Sequence, residues 1–316
     1  MRNLRSEHEI MANWRGNPSK PVVSICCITY NHEPYIEDAL EGFLIQKTDF
    51  PFEILIHDDA STDRTADIIR EYEALYPNII KPIYQTVNQY SQNKGPNAEF
   101  NVPRAKGGYL ALCEGDDYWT NPNKLQIQVE AMNTHPDCDI SFHPALMIFE
   151  DNHKCRIIGF HSHKDRIFTT EEYLTKGRGG SMPTASLMAR RELFNILPEY
   201  AYLSSAGDTV LQLFGTLKGG AVYINKTMSV YRKGVPYSYT KKSKKLNNMQ
   251  KVIKNDNLTK YYMLFSDEYP QYKAKIKKVL IIQQIKLILH LLKNLDLANC
   301  KHLFYNVFKI ISKSKN

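Results

Sequence analysis

Apolar and polar positions in the N-terminal part of the chain follow two periods, one typical of buried strands and one of amphipathic helices. Residues 22–28 form an apolar run that ends in the polar turn 29–33, and residues 36–44 then carry apolar side chains at the i, i+3, i+4 and i+7 spacing of one helical face. Strand, turn and helix recur over residues 52–76, and residues 79–84 form a further short run. Strands that alternate with helices predict an α/β fold with a mostly parallel sheet and helices on both faces.

The most informative stretch is residues 108–119, where an apolar run stops at Glu114, Asp116 and Asp117. The run predicts a buried central strand, and the carboxylates then lie at its carboxyl end, where open α/β sheets bind ligands. Carboxylates this close repel one another unless a cation lies among them, and hard oxygen ligands select Mg²⁺ or Mn²⁺. An acidic turn in water would explain an isolated Asp-Asp pair. Because this pair ends a buried strand and precedes Tyr118-Trp119, we expect a metal.

Two further acidic positions are candidates for chemistry. Asp58 and Asp59 follow the second predicted strand, so we expect them in the same crevice as the first acidic group. The chain has no glycine-rich phosphate loop of either common type, which leaves a metal as the expected partner of a bound phosphate. Asp208 follows a glycine at the head of a predicted helix, and its spacing alone favours helix capping.

The remaining pattern predicts elements in less detail. We expect a helix after residues 121–123, one strand over residues 139–149, a hairpin or loop over residues 157–168 and a last strand over residues 221–231. Two longer amphipathic helices are expected near the C-terminus, roughly at residues 272–295 and 297–312.

Charge is distributed unevenly along the 316 residues, whose net charge is +8. From Lys241 onward there are 17 lysines, no arginine and 4 acids, so the preceding part of the chain is acidic overall. Such a basic tail is expected to meet an anionic surface, either membrane lipid or nucleic acid. Lysines scattered along amphipathic helices, without arginine or a known nucleic-acid motif, favour the membrane interface, and we expect no nucleic-acid partner. Packing of these helices on the rest of the protein, with lysines facing water, is an equally good alternative.

Compartment is indicated by three features of the sequence. Six cysteines without Cys-x-x-Cys spacing are typical of reduced core residues in a cytosolic protein. The N-terminus lacks the apolar core of a signal peptide, and the interrupted apolar run 279–292 is shorter than the ~20 residues of a spanning helix. We expect a cytoplasmic protein with at most a peripheral contact, through residues 241–316, on the inner face of the cell membrane.

Four motifs occur in an order that resembles family 2 glycosyltransferases with the GT-A fold. They lie at residues 23–31, 58–63, 93–95 and 114–117, and the resemblance covers about residues 21–235. The version Cys-Glu-Gly-Asp-Asp-Tyr-Trp is similar to bacterial enzymes of capsule, lipopolysaccharide or other surface-polysaccharide synthesis. The resemblance implies a metal-dependent, inverting transfer from a nucleotide-diphospho-sugar, with a UDP-sugar as the expected donor, to a glycan or lipid-linked sugar acceptor.

The same resemblance assigns roles to individual residues. Asp59 would accept the ring N–H of a uracil-type base, Asp116 and Asp117 would hold Mn²⁺ or Mg²⁺, and Asp208, in Ala-Gly-Asp, falls at the position of the catalytic base. The first acid of the metal motif is Glu114 instead of aspartate, and the histidine that completes the metal shell in many relatives is absent from residues 231–237. Arg232 or Lys233 would neutralise phosphate instead. Residues expected to bind the nucleotide-sugar are Thr29, Tyr30, Asn31, Asp58, Asp59, Asn93, Lys94, Glu114 and Asp116.

We therefore expect an N-terminal arm or short docking helix (residues 1–20), a GT-A catalytic domain (residues 21–237) and a basic helical extension (residues 238–316). Within the catalytic domain, residues 21–120 would bind the nucleotide and residues 121–237 the acceptor. A sugar-1-phosphate nucleotidyltransferase would also use a nucleotide, a metal and strand-end carboxylates, although no glycine-rich triphosphate loop is present. A nucleic-acid-binding or membrane-binding protein would account for the basic tail alone.

Overall fold

Strands and helices alternate through the first half of the computed structural model, which describes residues 4–92, 94–176, 181–204, 206–236, 238, 241, 243 and 245–312. The strands are β1 (Val23–Thr29), β2 (Phe52–Asp58), β3 (Ile80–Tyr84), β4 (Tyr109–Glu114), β5 (Tyr118–Trp119), β6 (Ile140–Phe142), β7 (Ala145–Phe149), β8 (Cys155–Ile158), β9 (Arg166–Phe168), β10 (Met188–Arg190), β11 (Ala221–Tyr223) and β12 (Ser229–Lys233). The helices are α1 (Glu7–Met11), α2 (Ile36–Leu44), α3 (Thr65–Leu75), α4 (Val102–Arg104), α5 (Lys124–Thr134), α6 (Thr170–Lys176), α7 (Gly207–Gly215), α8 (Asn248–Glu268), α9 (Lys273–Lys293) and α10 (Leu297–Ser312).

The large sheet has the strand order β3-β2-β1-β4-β10-β6-β11-β9. Strands β3, β2, β1 and β4 are parallel, and β11 is parallel to β6, whereas β10 and β9 run antiparallel to their neighbours. In the register of the central strands, Thr29 lies opposite Asp58 and Ile28 lies opposite Glu114. The polar residues that follow β1, β2 and β4 therefore meet at one edge of the sheet.

A second sheet, with the order β5-β12-β7-β8, was not expected from the sequence. The strand predicted over residues 139–149 is wrong as a single element, because β6 belongs to the large sheet and β7 to the small one. Pro144 lies between them and has no N–H with which to continue a ladder. The strand predicted over residues 221–231 is divided in the same way, into β11 and β12, at the polar residues 225–227.

Helices cover the sheet with the faces that their periodicity predicts. The apolar face of α2 is fully buried, and Leu125, Val129 and Met132 of α5 are buried as well. At the N-terminus, α1 buries Ile10 in the main core, and Glu7 accepts a hydrogen bond from the backbone N–H of Ile79 at 3.1 Å. The first described residues thus include a docking helix. The buried apolar face of α2 consists of Ile36, Ala39, Leu40, Phe43 and Leu44.

Five of the six cysteines are buried, as the sequence predicts, and one is exposed. Cys26, Cys27, Cys113, Cys138 and Cys300 are buried, and all six cysteines have free thiols. Cys155 is exposed, because the edge strand β8 that carries it has one side open to solvent.

The C-terminal helices pack on α7 and on one another. Phe265 of α8 contacts Phe214 of α7 with ring centroids 5.5 Å apart. A buried hydrogen bond of 2.9 Å from Asn255 to Gln284 joins α8 to α9, and Leu303 of α10 completes a small core with both. Among the residues that the structure describes, no helix combines the length and apolar character that crossing a membrane requires.

Candidate active site

The acidic loop after β4 lies against the end of β1. Glu114 is the last residue of β4, and the backbone N–H of Gly115 donates to the carbonyl of Ile28 at 2.9 Å. A Cβ atom at Gly115 would lie 2.8 Å from Oγ1 and 2.9 Å from Cβ of Thr29. Only glycine therefore lets the loop approach β1 this closely, and this approach brings Asp116 and Asp117 to the carboxyl edge of the sheet.

The acids of this loop are buried and repel one another. Asp116 is 7% exposed and Asp117 is 1% exposed. Burial, together with the charges of Asp116 and Asp208, raises the pKa of Glu114 to about 8. Burial and the charges of Asp116 and Glu114 raise the pKa of Asp117 well above its usual range. A cation between these groups would relieve both the repulsion and the cost of desolvation.

One carboxylate oxygen in the loop is suited to a metal. Oδ2 of Asp117 is buried and accepts no hydrogen bond from the protein. A buried carboxylate oxygen without a donor is costly, and coordination of a cation would satisfy it. Within the described ranges, no three or more His, Cys, Asp or Glu residues are arranged as a metal cage. The two aspartates would hold a divalent cation here and would supply part of its oxygen ligands.

Arg232 holds the acidic loop in place. Its backbone N–H donates to Oδ1 of Asp117 at 2.8 Å, and its Nη1 donates to the carbonyl of Asp116 at 3.0 Å. The guanidinium also lies over the ring of Tyr118, 4.4 Å from the centroid. Because β12 pairs with β5, the small sheet positions this arginine beside the loop.

The other contacts of Arg232 show that its guanidinium is already neutralised. It forms an ion pair with Asp38 of α2, approaches Glu150 at 3.8 Å and lies 5.2 Å from the ring centroid of Tyr35. Lys233 points to a different neighbour, since its Nζ lies 5.4 Å from the ring centroid of Phe149. Arg232 is therefore a clamp on the acidic loop, and not the available phosphate cation that the sequence suggests.

Asp58 and Asp59, at the end of β2, have different partners. The carboxylate of Asp58 accepts two hydrogen bonds from Ser61, one from Oγ at 2.5 Å and one from the backbone N–H of Ser61 at 3.2 Å. Burial raises the pKa of Asp58. The carboxylate of Asp59 accepts from the backbone N–H groups of Gln89 at 2.6 Å and Tyr90 at 3.1 Å. Asp58 thus shapes its own turn, and Asp59 ties down the loop that follows β3.

The turn after β1 lies beside the turn after β2. Asn31 has a left-handed backbone (φ 54°), its N–H donates to Oγ of Ser61 at 2.9 Å, and its Oδ1 accepts from the N–H of Thr62 at 2.8 Å. Thr29 is 3% exposed, and its Oγ1 is buried without a hydrogen bond. Tyr30, between them, is half-buried. These three residues line the sheet edge next to Asp58 and Asp59.

A series of side-chain contacts runs from Lys94 through the rings of Phe100 and His57 to Asp59. Nζ of this exposed lysine lies 5.7 Å from the ring centroid of Phe100, and that ring lies 4.7 Å from the ring of His57. Nε2 of His57 is 3.4 Å from Oδ1 of Asp59. Burial lowers the pKa of His57, so the neutral imidazole is favoured. Asn93, which was expected to bind the nucleotide-sugar, lies outside the described residues.

Asp208 lies in the first turn of α7 and is not its N-cap residue, which is Ala206. Its carboxylate accepts hydrogen bonds from the N–H of Thr209 at 2.8 Å and from Oγ1 of Thr184 at 3.3 Å. Burial raises the pKa of Asp208. Because its charge also raises the pKa of Glu114, Asp208 acts electrostatically on the same crevice as the acidic loop.

The short 3₁₀ helix Thr184–Ser186 connects Asp208 with the acidic loop. Nε1 of Trp119 donates to the carbonyl of Ala185 at 2.8 Å, and Gln128 donates to the carbonyl of Ser186 at 2.9 Å. Nζ of the buried Lys124 lies 4.0 Å from the ring centroid of Trp119. Trp119 therefore fixes the segment that carries Thr184. The sequence gives no signal for Thr184, because its contact with Asp208 joins residues in separate elements.

A family comparison identifies the class to which this arrangement belongs. The family model described as "Glycosyl transferase family 2" matches residues 24–196, slightly more than half of the chain. The chain belongs to glycosyl transferase family 2, which confirms the class of enzyme expected from the four motifs and decides against the nucleotidyltransferase alternative. Asp208 lies beyond the matched segment.

Individual relatives match a shorter segment. An uncharacterized protein of Mycobacterium tuberculosis is 49% identical over 134 residues, which are 42% of this chain and 37% of that protein. A protein of Bacillus subtilis named "Putative teichuronic acid biosynthesis glycosyltransferase TuaG" is 34% identical over 143 residues, which are 45% of this chain and 51% of that protein. The matched segment thus spans between 37% and 51% of the length of these relatives.

Likeness to a solved structure covers more of the chain. A crystal structure of residues 1–349 of S. aureus TarS in complex with UDP superimposes with a TM-score of 0.55, at 18% identity, over 89% of each chain. The GT-A fold that the sequence predicts is thereby confirmed.

Proposed function

We propose that this protein moves a sugar, with inversion, from a nucleotide-diphospho-sugar to a hydroxyl group of a glycan or lipid-linked acceptor in the synthesis of a bacterial surface polysaccharide. The observation that carries the proposal is the convergence of Glu114, Asp116 and Asp117 at the sheet edge with Asp208, whose charge raises the pKa of Glu114. Residues 21–237 form the catalytic domain, and residues 238–316 form an appended basic helical unit.

The donor lies along the carboxyl ends of β1, β2 and β4, with its base toward Asp59. Two backbone N–H groups already donate to the Asp59 carboxylate, but a carboxylate has about four acceptor positions, so the ring N–H of a uracil-type base can also bind. Thr29, Tyr30 and Asn31 line this end of the crevice, and Lys94 is an exposed cation at its rim. The UDP in the TarS structure supports a UDP-sugar as the first donor to test.

A divalent cation, Mn²⁺ or Mg²⁺, fits beside Asp116 and Asp117. The support is the buried Oδ2 of Asp117, which has no hydrogen-bond donor, and the mutual repulsion of the acids around it. When bound, such an ion supplies positive charge to the departing nucleoside diphosphate. Arg232 keeps Asp117 in position for this role through its backbone N–H.

Asp208 acts as the general base. It takes the proton of the acceptor hydroxyl while the hydroxyl oxygen bonds to the anomeric carbon and the bond from that carbon to the diphosphate oxygen breaks. The raised pKa of Asp208 makes it a stronger base than an exposed aspartate, and the hydroxyl of Thr184 orients its Oδ2. The acceptor enters on the side of the crevice formed by α7 and the segment Thr184–Ser186. The name of the B. subtilis relative supports a surface polysaccharide as the product.

A thermal-shift screen tests the donor site. The wild-type protein is heated with UDP-, GDP- and dTDP-sugars and their nucleoside diphosphates, each with and without Mn²⁺. A ligand that binds only the native state raises its stability, by about 2.7 kcal/mol at a hundred times its Kd. We expect one nucleotide class to raise the melting temperature, and Mn²⁺ to increase the shift.

Asp117→Asn and Asp208→Asn are the matched variants for this screen. The first removes a proposed metal ligand and should lose the effect of Mn²⁺, whereas the second should keep it. Absence of a shift with every nucleotide, in protein whose folding is verified by circular dichroism, would contradict the proposal.

A further inference from the structure

The C-terminal helices bury one face and expose another that is also apolar. Toward the protein, α9 buries Ile276, Leu280, Ile288 and Leu291. On this side α9 therefore packs on the protein, which is one of the two alternatives that the sequence left open for the C-terminal helices. Packing does not account for the opposite side of α9, whose side chains face solvent.

The outer side of α9 carries a stripe of aliphatic residues. Ile282, Ile285, Leu289 and Leu292 are 44%, 47%, 54% and 39% exposed. Their spacing of three, four and three residues places them on one face of the helix. Single exposed apolar residues are ordinary on protein surfaces, but a continuous stripe marks an interaction surface.

Helix α10, which packs against α9, has exposed apolar residues of its own. Phe304, Tyr305 and Phe308 are 56%, 65% and 69% exposed, at the spacing of a single helical face. Between the two helices, Leu295 is 85% exposed and adopts a left-handed backbone, with φ of 55°. We refer to the exposed apolar residues of the two helices, listed next, as the outer face. The outer face consists of Ile282, Ile285, Leu289, Leu292, Phe304, Tyr305 and Phe308.

The two helices that carry the outer face have exposed lysines and no acidic residue. Lys278, Lys286 and Lys293 of α9 and Lys301 of α10 are exposed, and the sequence of α9 contains no Asp or Glu. Like-charge repulsion would therefore oppose the pairing of this face with a second copy of the chain. An anionic partner is favoured by the same charges.

A basic groove lies beside the outer face, between α8 and α9. It has a volume of about 360 Å³, and the groove has no acidic residue in its lining. Nζ of Lys251 lies 3.0 Å from Nε2 of His290 across the groove. Clustered lysines next to an apolar stripe match the chemistry of an anionic bilayer, with charged headgroups above an apolar interior. The lining residues include Lys251, Lys254, Lys286 and His290.

We propose that the outer face of α9 and α10 binds the surface of an anionic lipid bilayer. The aliphatic and aromatic side chains enter the boundary between headgroups and acyl chains, and the flanking lysines contact lipid phosphates. In this arrangement the helices lie in the interface and do not span the bilayer. This proposal narrows the contact expected from residues 241–316 to one face of two helices. It is independent of the donor site.

Co-sedimentation of the full chain with vesicles tests the proposal. One set of vesicles contains phosphatidylcholine alone, and the other also contains phosphatidylglycerol. We expect at least tenfold stronger binding to the anionic set, because each lysine near such a surface contributes severalfold to affinity. High salt should release the protein.

Paired substitutions separate the apolar and charged contributions. Ile285→Ser with Leu289→Ser, and separately Lys286→Gln with Lys293→Gln, should each weaken binding about tenfold. Matched controls are Leu75→Ser with Ile196→Ser, which are 53% and 67% exposed elsewhere, and Lys154→Gln with Lys226→Gln. The controls should bind like the wild type. Circular dichroism melting verifies that every variant folds.

Four results would overturn the proposal. The first is equal binding to neutral and anionic vesicles, or no binding to either. The second is unchanged vesicle binding by the serine variant. The third is a dimer of the wild-type protein in light scattering that the serine variant abolishes, since the outer face would then be covered by a second copy. The fourth comes from competition with duplex DNA. If DNA fully displaces the protein from the vesicles, and the serine substitutions have no effect on vesicle binding, the lysines bind nucleic acid instead.

Discussion

The backbone N–H of Arg232 donates to Oδ1 of Asp117 at 2.8 Å, and this contact joins the small sheet to the acidic loop of the large one. The same arginine forms an ion pair with Asp38 and lies over the ring of Tyr118. The position of a carboxylate proposed to bind metal therefore depends on a residue more than a hundred positions away in sequence. This dependence gives the first prediction.

Arg232→Met should destabilise the protein and weaken metal-dependent donor binding. The side chain is 11% exposed, and its removal breaks the ion pair with Asp38 and the hydrogen bond to the Asp116 carbonyl. We expect the free energy of unfolding to fall by about 2 kcal/mol in urea denaturation. Arg64→Met is the control, because Arg64 and its partner Glu71 are 3.9 Å apart and mostly exposed. That variant should change stability by less than about 0.5 kcal/mol, and an equal loss in both variants would contradict the clamp.

Gly115→Ala should displace the acidic loop. The added Cβ would lie within 3 Å of Thr29, so either β1 or the loop has to move. We expect a loss of about 1–3 kcal/mol in stability and weaker nucleotide binding in a thermal-shift titration. Gly108→Ala is the control, because no atom lies within 4 Å of a Cβ at that position. Normal nucleotide affinity in Gly115→Ala would show that the close approach of the loop is dispensable.

The pH dependence of transfer should report Asp208. A general base acts only when it is deprotonated, so activity should fall as the pH decreases through the pKa of Asp208. Burial raises this pKa above its ordinary value of 3.8, and the hydrogen bond from Thr184 partly opposes the rise. Thr184→Val should therefore move the acidic limb of the kcat profile to higher pH, with an unchanged KM for the donor. Thr175→Val, at an exposed site, should leave the profile in place; a shift in neither variant would contradict the role of Thr184.

Lys124 should make stability depend on alkaline pH. Burial lowers its pKa from 10.5 to about 7. Between about pH 7 and pH 10.5, Lys124 is protonated in the unfolded chain and deprotonated in the folded protein. The free energy of unfolding of the wild type should therefore rise with pH over this interval. Relative to Lys124→Met, the free energy of unfolding should increase by about 2 kcal/mol from pH 7 to pH 9. A difference that stays constant over this interval would mean that Lys124 remains charged beside Trp119.

The sequence predicts the parallel part of the fold well because each element there is a single apolar pattern bounded by polar turns. Strands β1, β2 and β4 and helix α2 follow their runs closely, and the strand-end acids meet at one edge because parallel strands share their direction. Residues 139–149 and 221–231 were less predictable, since one apolar run can bend and pass between two sheets.

The details of the candidate site depend on contacts that periodicity does not report. The hydrogen bond from Arg232 to Asp117 joins residues 115 positions apart, and that from Thr184 to Asp208 joins residues 24 apart. In the C-terminal helices, the amphipathic pattern predicts the helices and leaves two roles open, a membrane interface and packing on the rest of the protein. It does not separate the buried face of α9 from the face toward solvent, because both faces contribute apolar residues to one run.

Release of nucleoside diphosphate tests the proposed transfer most directly. The donor identified by the thermal-shift screen is incubated with the protein, Mn²⁺ and an extract that contains lipid-linked glycans, and both the released nucleotide and the sugar incorporated into the extract are measured. The wild type should release nucleoside diphosphate in proportion to the sugar incorporated. Asp208→Asn should bind the donor with unchanged affinity and transfer the sugar about 10²- to 10⁴-fold more slowly. Normal turnover by Asp208→Asn, or release of pyrophosphate in place of the nucleoside diphosphate, would contradict the account.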